Sequence, residues 1–257
     1  MGHMQLLSNF IFETMPSLAE HRTFDPTYSQ RIISVALKTP YLMYEIMALS
    51  AVHLSRTRVS QARYYLNEAI TLQTEALSLF NSSMGNKSIG TTAETDIPSA
   101  INDIRKIESA PMLLFANFLG IHALADTISR AKSDPNSSLN DFVSYLYLHR
   151  GVRSIIGQSW NSLLHSDISP ILVDTQALLS NNSPKLDEEI LEIFQRFNSL
   201  VDEADMDEAS KIACRSAISL LQFVYRYAYP MRSEKNQKRP PGIIWAWPVM
   251  LPGLKPL

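Results

Sequence analysis

Two consecutive apolar stripes at helical spacing, between Pro40 and Ser82, constrain the fold of this chain more than any other feature. Apolar residues three, four and seven positions apart share one face of an α-helix and must be buried against a neighbour. The first stripe contains Leu42, Ile46, Leu49, His53 and Leu54, and the second contains Tyr65, Ala69, Leu72, Ala76 and Leu79. The pattern predicts two adjacent amphipathic helices, at residues 40–56 and 60–82, that need further helices to cover them.

The rest of the chain has the same helical period and lacks the alternating pattern of strands. Pro16 is expected to end the first helix, Asp25 to cap the second, and residues 83–96 and 232–241 to form loops. We expect these further helices at residues 5–15, 26–38, 97–108, 111–131, 139–151, 152–164, 186–202 and 206–229. The sequence therefore predicts an all-α fold, an irregular multi-helix bundle or solenoid.

The chain is long enough to form one sizeable core, with 257 residues of which 46% are hydrophobic. Residues 1–3, Met-Gly-His, look like an expression-tag remnant, and we expect residues 4–257 to form a single helical domain. Met4 would then be a native start. The alternative interpretation is an excised ligand-sensing domain with a vector-derived methionine.

Charge and composition exclude several kinds of partner. The net charge is −2 and the only concentrated positive run, at residues 235–239, lies in an expected loop, so we expect no nucleic-acid binding. Pro, Arg, Asn or His interrupts every long apolar run, so we expect no membrane insertion. One unpaired cysteine, Cys214, fits a reducing compartment and predicts an intracellular protein, cytoplasmic or nuclear.

The common catalytic and metal-binding motifs are absent from the sequence. No two histidines have the spacing of a helical zinc site, so no metal is expected. No Gly-x-Ser-x-Gly elbow, phosphate-binding glycine loop or dinucleotide fingerprint occurs, so no cofactor is expected either. Hydrolase, kinase and dehydrogenase functions are therefore disfavoured.

Three segments carry a resemblance to a known family. They are PYLMYEIMALSAVHLSRTRVSQARYYLNEAITLQTEALSLFNS at residues 40–82, LHRGVRSIIGQSWNSLLHSDISPIL at 148–172, and IIWAWPVMLP at 243–252. In order and rough spacing they resemble the regulatory (middle homology) domain of fungal zinc binuclear cluster transcription factors, in particular the sterol-regulator-like branch. The resemblance implies a helical domain that holds a lipophilic small molecule.

Two departures from that family affect the expected function. A zinc binuclear cluster needs six thiolates around two metal ions, and the sequence has one cysteine, so the cluster cannot form in this chain. Family members continue with further helices after the Trp-Pro segment, whereas this sequence ends at Leu257. We therefore expect a naturally short, stand-alone protein, whose uncovered apolar surface would widen a pocket mouth or form a homodimer interface.

Polar side chains within the apolar stripes are the candidate site residues, because each needs a partner when buried. We expect a mostly apolar pocket between the helices at 40–56 and 111–131 and the segment 145–153. The predicted hydrogen-bond donors for catalysis are Tyr44, His53, His122, Tyr147 and Arg150. The predicted substrate-binding residues are Tyr41, Met47, Phe115, Phe118, Trp160 and Trp247. For each of them ordinary core packing is the competing interpretation.

Two classes of function fit these observations. In the first, which the shortened ends favour, the protein serves fungal specialised metabolism and catalyses a cofactor-free, pericyclase-like cyclisation or isomerisation of a terpenoid- or polyketide-like substrate. In the second, which the resemblance alone implies, the chain is a ligand-sensing regulatory domain whose sterol-like effector shifts the balance between two helical packings. A protein-interaction scaffold would explain the helices but not the polar groups within them.

Overall fold

The computed structural model of the chain describes residues 2–18, 25–88, 98–131, 140, 159–173 and 186–228. Every regular element within these ranges is a helix, so the predicted all-α fold is confirmed. The predicted site residues Tyr147, Arg150 and Trp247 lie outside the described residues.

The N-terminal helix contains a π-helical segment. Helix α1 (His3–Asn9) leads into the π segment Phe10–Thr14 and then into α2 (Met15–Leu18). The Met15 N–H donates to the Phe10 carbonyl, five residues earlier. The prediction that Pro16 ends this helix is wrong. The widened turn directly precedes the proline, whose ring lacks an N–H and needs room beside the preceding turn.

Helices α3 (Pro26–Ala36) and α4 (Pro40–Thr57) both begin with a proline, which is preorganised for a first helical turn. The Asp25 side chain caps α3 by accepting a hydrogen bond of 2.9 Å from the Thr27 N–H, as predicted. Helix α4 is the centre of the fold, because residues on nearly its whole circumference are buried.

The two predicted central helices are present. A 3₁₀ turn, Val59–Gln61, connects α4 to α5 (Ala62–Ser88), and the two helices pack side by side. The loop expected from residue 83 begins later than predicted, because α5 continues to Ser88. The 83–88 segment contains no proline, so each added residue can gain a helical hydrogen bond.

Helix α6 (Pro98–Ala131) replaces the two helices predicted at 97–108 and 111–131. Pro111 lies inside it without ending it. An internal proline costs roughly 3 kcal/mol, and the burial of Leu113, Leu114 and Phe118 directly after it offsets this cost. The edge-on contact of Phe118 with Phe10, at 5.5 Å between ring centroids, joins α6 to the N-terminal helix.

The Ser109–Ser129 part of α6 is, by length and composition alone, apolar enough to cross a membrane, which the sequence analysis did not anticipate. In the structure 44% of this stretch is buried within the protein, and the helix packs against α4. Burial in the helical core accounts for its apolar composition.

Two short helical segments, at 159–163 and 169–173, and the turn between them place Leu163, Ile168 and Leu172 in the same core as α3, α4 and α6. A second cluster, formed by Leu6, Met47, Leu54, Tyr65 and Leu72 with their neighbours, fills the space between α1, α4 and α5. Helices α7 (Glu188–Glu203) and α8 (Glu208–Ala228) pack against each other.

We expect Phe118→Ala to lower the free energy of unfolding by about 3–5 kcal/mol, because it leaves a cavity between α6 and the N-terminal helix. Phe12→Ala is the matched control. Phe12 is 69% exposed, so its truncation should change stability by about 0.5 kcal/mol or less. Urea unfolding followed by circular dichroism at 222 nm measures both, and equal effects would contradict the described packing.

Candidate functional site

A cleft of about 1010 Å³ opens where the α3–α4 corner, the end of α5, α6 and residues 161–167 meet. Its apolar lining comes from Val35, Pro40, Tyr41, Leu79, Ala110 and Pro111. Its polar lining comes from Lys38, Thr39, Ser83, Asn161, Ser162, His165, Ser166 and Asp167. Although eight of these fourteen lining residues are polar, most of the exposed lining surface is apolar, as is usual for a small-molecule site.

Three aromatic rings, from Tyr41, Phe80 and Phe115, form what we call the aromatic layer. The Tyr41 ring lies edge-on to both phenylalanines, with centroid distances of 5.3 and 5.2 Å, and Phe80 stacks on Phe115 at 4.7 Å. Burial raises the pKa of Tyr41 to about 12. The phenol that lines the cleft therefore keeps its proton at physiological pH and can donate a hydrogen bond.

The charged groups at the rim of the cleft oppose one another. Lys38 Nζ lies 3.9 Å from Asp167 Oδ2, and Arg31 donates to the Asp167 backbone carbonyl at 3.3 Å. Both members of the ion pair are largely exposed, so the pair adds little stability. His165 Nδ1 donates to the Asn161 carbonyl at 2.7 Å. The two charged residues that line the cleft, Lys38 and Asp167, carry opposite charges, which suits a neutral ligand with hydroxyl or carbonyl groups better than an ion.

Three polar side chains from different helices meet in the core and form what we call the polar layer: Glu45 of α4, Gln73 of α5 and His122 of α6. His122 Nδ1 lies 3.2 Å from Glu45 Oε1 and 3.0 Å from Gln73 Nε2. Glu45 is fully buried, and its Oε2 has no hydrogen-bond partner among the described residues.

Burial raises the pKa of Glu45 above its usual range. The hydrogen bond to His122, the charge of His122 and the Gln73 amide act in the opposite direction but do not outweigh the loss of water around the carboxylate. The net effect shifts Glu45 towards its protonated form compared with a carboxyl group in water.

Tyr41 is the predicted site residue that lines the described cleft. Phe115 lies behind it in the aromatic layer, and Trp160 directly precedes Asn161 and packs against the core. Phe118 and Met47 are buried in the two core clusters.

The other predicted donors within the described residues have protein contacts. His122 belongs to the polar layer, and the Tyr44 ring lies edge-on to His3, which begins α1. His53 Nδ1 lies 3.1 Å from Thr14 Oγ1, in the contact between the N-terminal helix and α4. The structure thus brings none of these three into the lining of the cleft.

Sequence reasoning missed Glu45, Gln73 and the 161–167 segment. Glu45 carried a usable signal, because it is the only carboxylate in α4 and lies one turn after Tyr41 on a helix that is otherwise mainly apolar. Gln73 and the 161–167 segment had no such sequence signal. A polar residue beside an apolar stripe and a short polar segment are both ordinary surface features.

No three histidine, cysteine, aspartate or glutamate side chains come together as metal ligands within the described ranges.

The family model described as a fungal specific transcription factor domain matches residues 5–170, more than half of the chain. The matched range contains the cleft and the polar layer, together with the first and most of the second of the three resembling segments. The predicted resemblance to fungal transcription factor regulatory domains is confirmed at this level. No curated protein and no solved structure matches the chain significantly.

Stability should depend on pH through Glu45. The pKa of Glu45 is higher in the folded chain than in the unfolded chain, so between these two pKa values folding takes up a proton. The free energy of unfolding therefore falls as pH rises through this range. Glu45→Gln should remove a slope of up to about 1.4 kcal/mol per pH unit and should stabilise the chain above the folded-state pKa.

Urea unfolding across pH measures this slope. Glu75→Gln, which removes an exposed carboxylate on α5, is the control and should leave the pH dependence nearly unchanged. Equal pH dependence in Glu45→Gln and the parent would contradict the assigned protonation.

Proposed function

Since the chain belongs to the fungal specific transcription factor domain family, we propose that it is a ligand-sensing regulatory domain and that the cleft beside Tyr41 is its effector site. The observation that supports this proposal most directly is that the cleft combines an apolar wall, the protonated phenol of Tyr41 and the opposite charges of Lys38 and Asp167. All of these lie within the range that the family model matches.

The proposed effector is a neutral lipophilic molecule of sterol-like size that carries a hydroxyl or carbonyl group. The cleft volume of about 1010 Å³ is at the upper end of the range for small-molecule sites, roughly 300–1,000 Å³. The Tyr41 ring, backed by Phe80 and Phe115, would pack against the rings of such a ligand. Tyr41, Ser83 and Asn161 would pair with its oxygen atoms.

Ligand binding could change the packing of the domain, because several helices contribute to the wall of the cleft. Residues of α3, α4, α5, α6 and the 161–167 segment all line the cleft, so a ligand that fits one arrangement of these elements better than another shifts the balance between the arrangements.

We further propose an intracellular, nuclear or cytoplasmic location and no DNA contact by this chain, given its net charge of −2. An isologous homodimer is the expected assembly if apolar surface remains uncovered.

A second candidate function is the cofactor-free cyclisation or isomerisation of a terpenoid- or polyketide-like substrate. The protonated Tyr41 phenol beside an apolar wall favours it, because one donor aimed at a substrate carbonyl can stabilise developing charge. Incubation of metal-free protein with polyene–enone substrates, compared with the uncatalysed rate, tests it. If turnover occurs, Tyr41→Phe should slow it roughly ten- to a thousand-fold.

Ligand binding can be tested with dehydroergosterol, a fluorescent sterol. Ser83→Phe should weaken its binding at least about tenfold, or about 1.4 kcal/mol, because the added ring occupies the cleft. The neighbouring Ser82→Phe is the matched control, since Ser82 is exposed and does not line the cleft, so its affinity should stay at the parent value. Equal loss in both variants, or saturable binding that neither affects, would contradict the assigned site.

A further inference from the structure

The aromatic layer and the polar layer lie on the same faces of the same three helices. Glu45 follows Tyr41 by four residues on α4, Gln73 precedes Phe80 by seven on α5, and His122 follows Phe115 by seven on α6. These offsets are one turn and two turns of an α-helix. Tyr41, which lines the cleft, and the two phenylalanines behind it therefore lie one to two helical turns from the polar contact of α4, α5 and α6.

The polar layer has two arrangements that differ in the position of one proton. His122 Nδ1 has one lone pair when it is unprotonated, so it can accept a hydrogen bond from the Gln73 amide nitrogen or from a protonated Glu45, but not fully from both. If the proton moves to Nδ1, the Gln73 amide must turn its oxygen towards the ring. Proton position and amide orientation are thus coupled.

Complete loss of the proton is costly in this setting. It would leave a carboxylate fully buried, with Oε2 unpartnered among the described residues and a neutral imidazole beside Oε1. A buried, incompletely paired charge is relieved by admitting water or by separating the surrounding elements. Either change acts on the three helices that also carry Tyr41, Phe80 and Phe115.

We propose that the polar layer controls the cleft through its proton: when Glu45 and His122 lose the proton that they share, α4, α5 and α6 repack and the aromatic layer moves with them. Ligand affinity of the cleft then depends on pH. This inference rests on the proposed function for the identity of the cleft as the effector site, but the repacking itself requires no ligand.

The groups that face Glu45 define which titrations can contribute. From α6 the titratable group is His122, from α5 the facing side chain is the neutral Gln73, and on α4 itself Tyr41 lies one turn earlier. Towards the N-terminal helix, Tyr44 lies edge-on to His3, and His53, two turns after Glu45 on α4, contacts Thr14. Across the cleft lies His165, which donates to the Asn161 carbonyl and serves as the control position.

Trp160 can report on the cleft, because it directly precedes the lining residue Asn161 and packs against the main core. The sequence has three tryptophans, so the double substitution Trp245→Phe, Trp247→Phe leaves Trp160 alone. We expect its emission to change in a one-proton transition at a pH above the usual range of a glutamate. Glu45→Gln in this background should abolish the transition, and His165→Asn should retain it.

A transition that persists unchanged in Glu45→Gln, or disappears in His165→Asn, would overturn the proposal. Far-ultraviolet circular dichroism establishes that each variant is folded. Should Glu45→Gln not fold, Gln73→Met provides the test. It removes a side chain that lowers the Glu45 pKa, so the midpoint should rise, and an unchanged midpoint would overturn the proposal.

Dehydroergosterol titrations on both sides of the midpoint separate this inference from the proposed function. By linkage, the dissociation constant should differ at least about threefold between the two pH values, and Glu45→Gln should remove the difference. Equal affinity at both pH values would overturn the coupling. Absence of binding at every pH would instead contradict the proposed function, while the Trp160 transition would still test the repacking.

Discussion

The burial of α4 is the constraint on which the rest of the described structure depends. A helix that is apolar around most of its circumference must be enclosed, and α1, α3, α5 and α6 each pack against it. Polar contacts supplement this packing: Ser50 donates to the Leu6 carbonyl at 2.7 Å, and Arg56 donates to the Ala125 carbonyl and to Ser129 of α6. Cleft, aromatic layer and polar layer all include residues of α4.

Helices that are marked by residues a few positions apart in the sequence were predicted correctly. The stripes of α4 and α5, the Asp25 cap and the prolines that begin α3 and α4 could be read from residues a few positions apart. The predictions that one helix ends at Pro16 and that another begins at Pro111 were wrong for a different reason. A proline penalty of about 3 kcal/mol is fixed locally, but the burial that offsets it comes from partners such as Phe10 and Phe118, which meet only in the folded chain.

The candidate site was partly predictable for the same reason. Tyr41, Phe115 and His122 were predicted as site residues, and the structure gives each of them a contact on another helix. Their partners could not be predicted, because Glu45, Gln73 and His122 are separated by tens of residues and converge only through the register of three helices. A lone carboxylate in an apolar helix was the available sign of such a contact.

The π segment at Phe10–Thr14 sets the rotation of everything that precedes it. A residue occupies about 100° of an α-helical turn, so deleting one residue from this segment and restoring the α-helical register would rotate residues 3–9 by about that angle. Leu6 would leave the core cluster it shares with Tyr65, and Asn9 would lose its 2.9 Å contact with Ser50. The number of residues in the π segment is therefore constrained by the packing of α1. A substitution in this segment changes one side chain, whereas a deletion changes which face of α1 packs against α4.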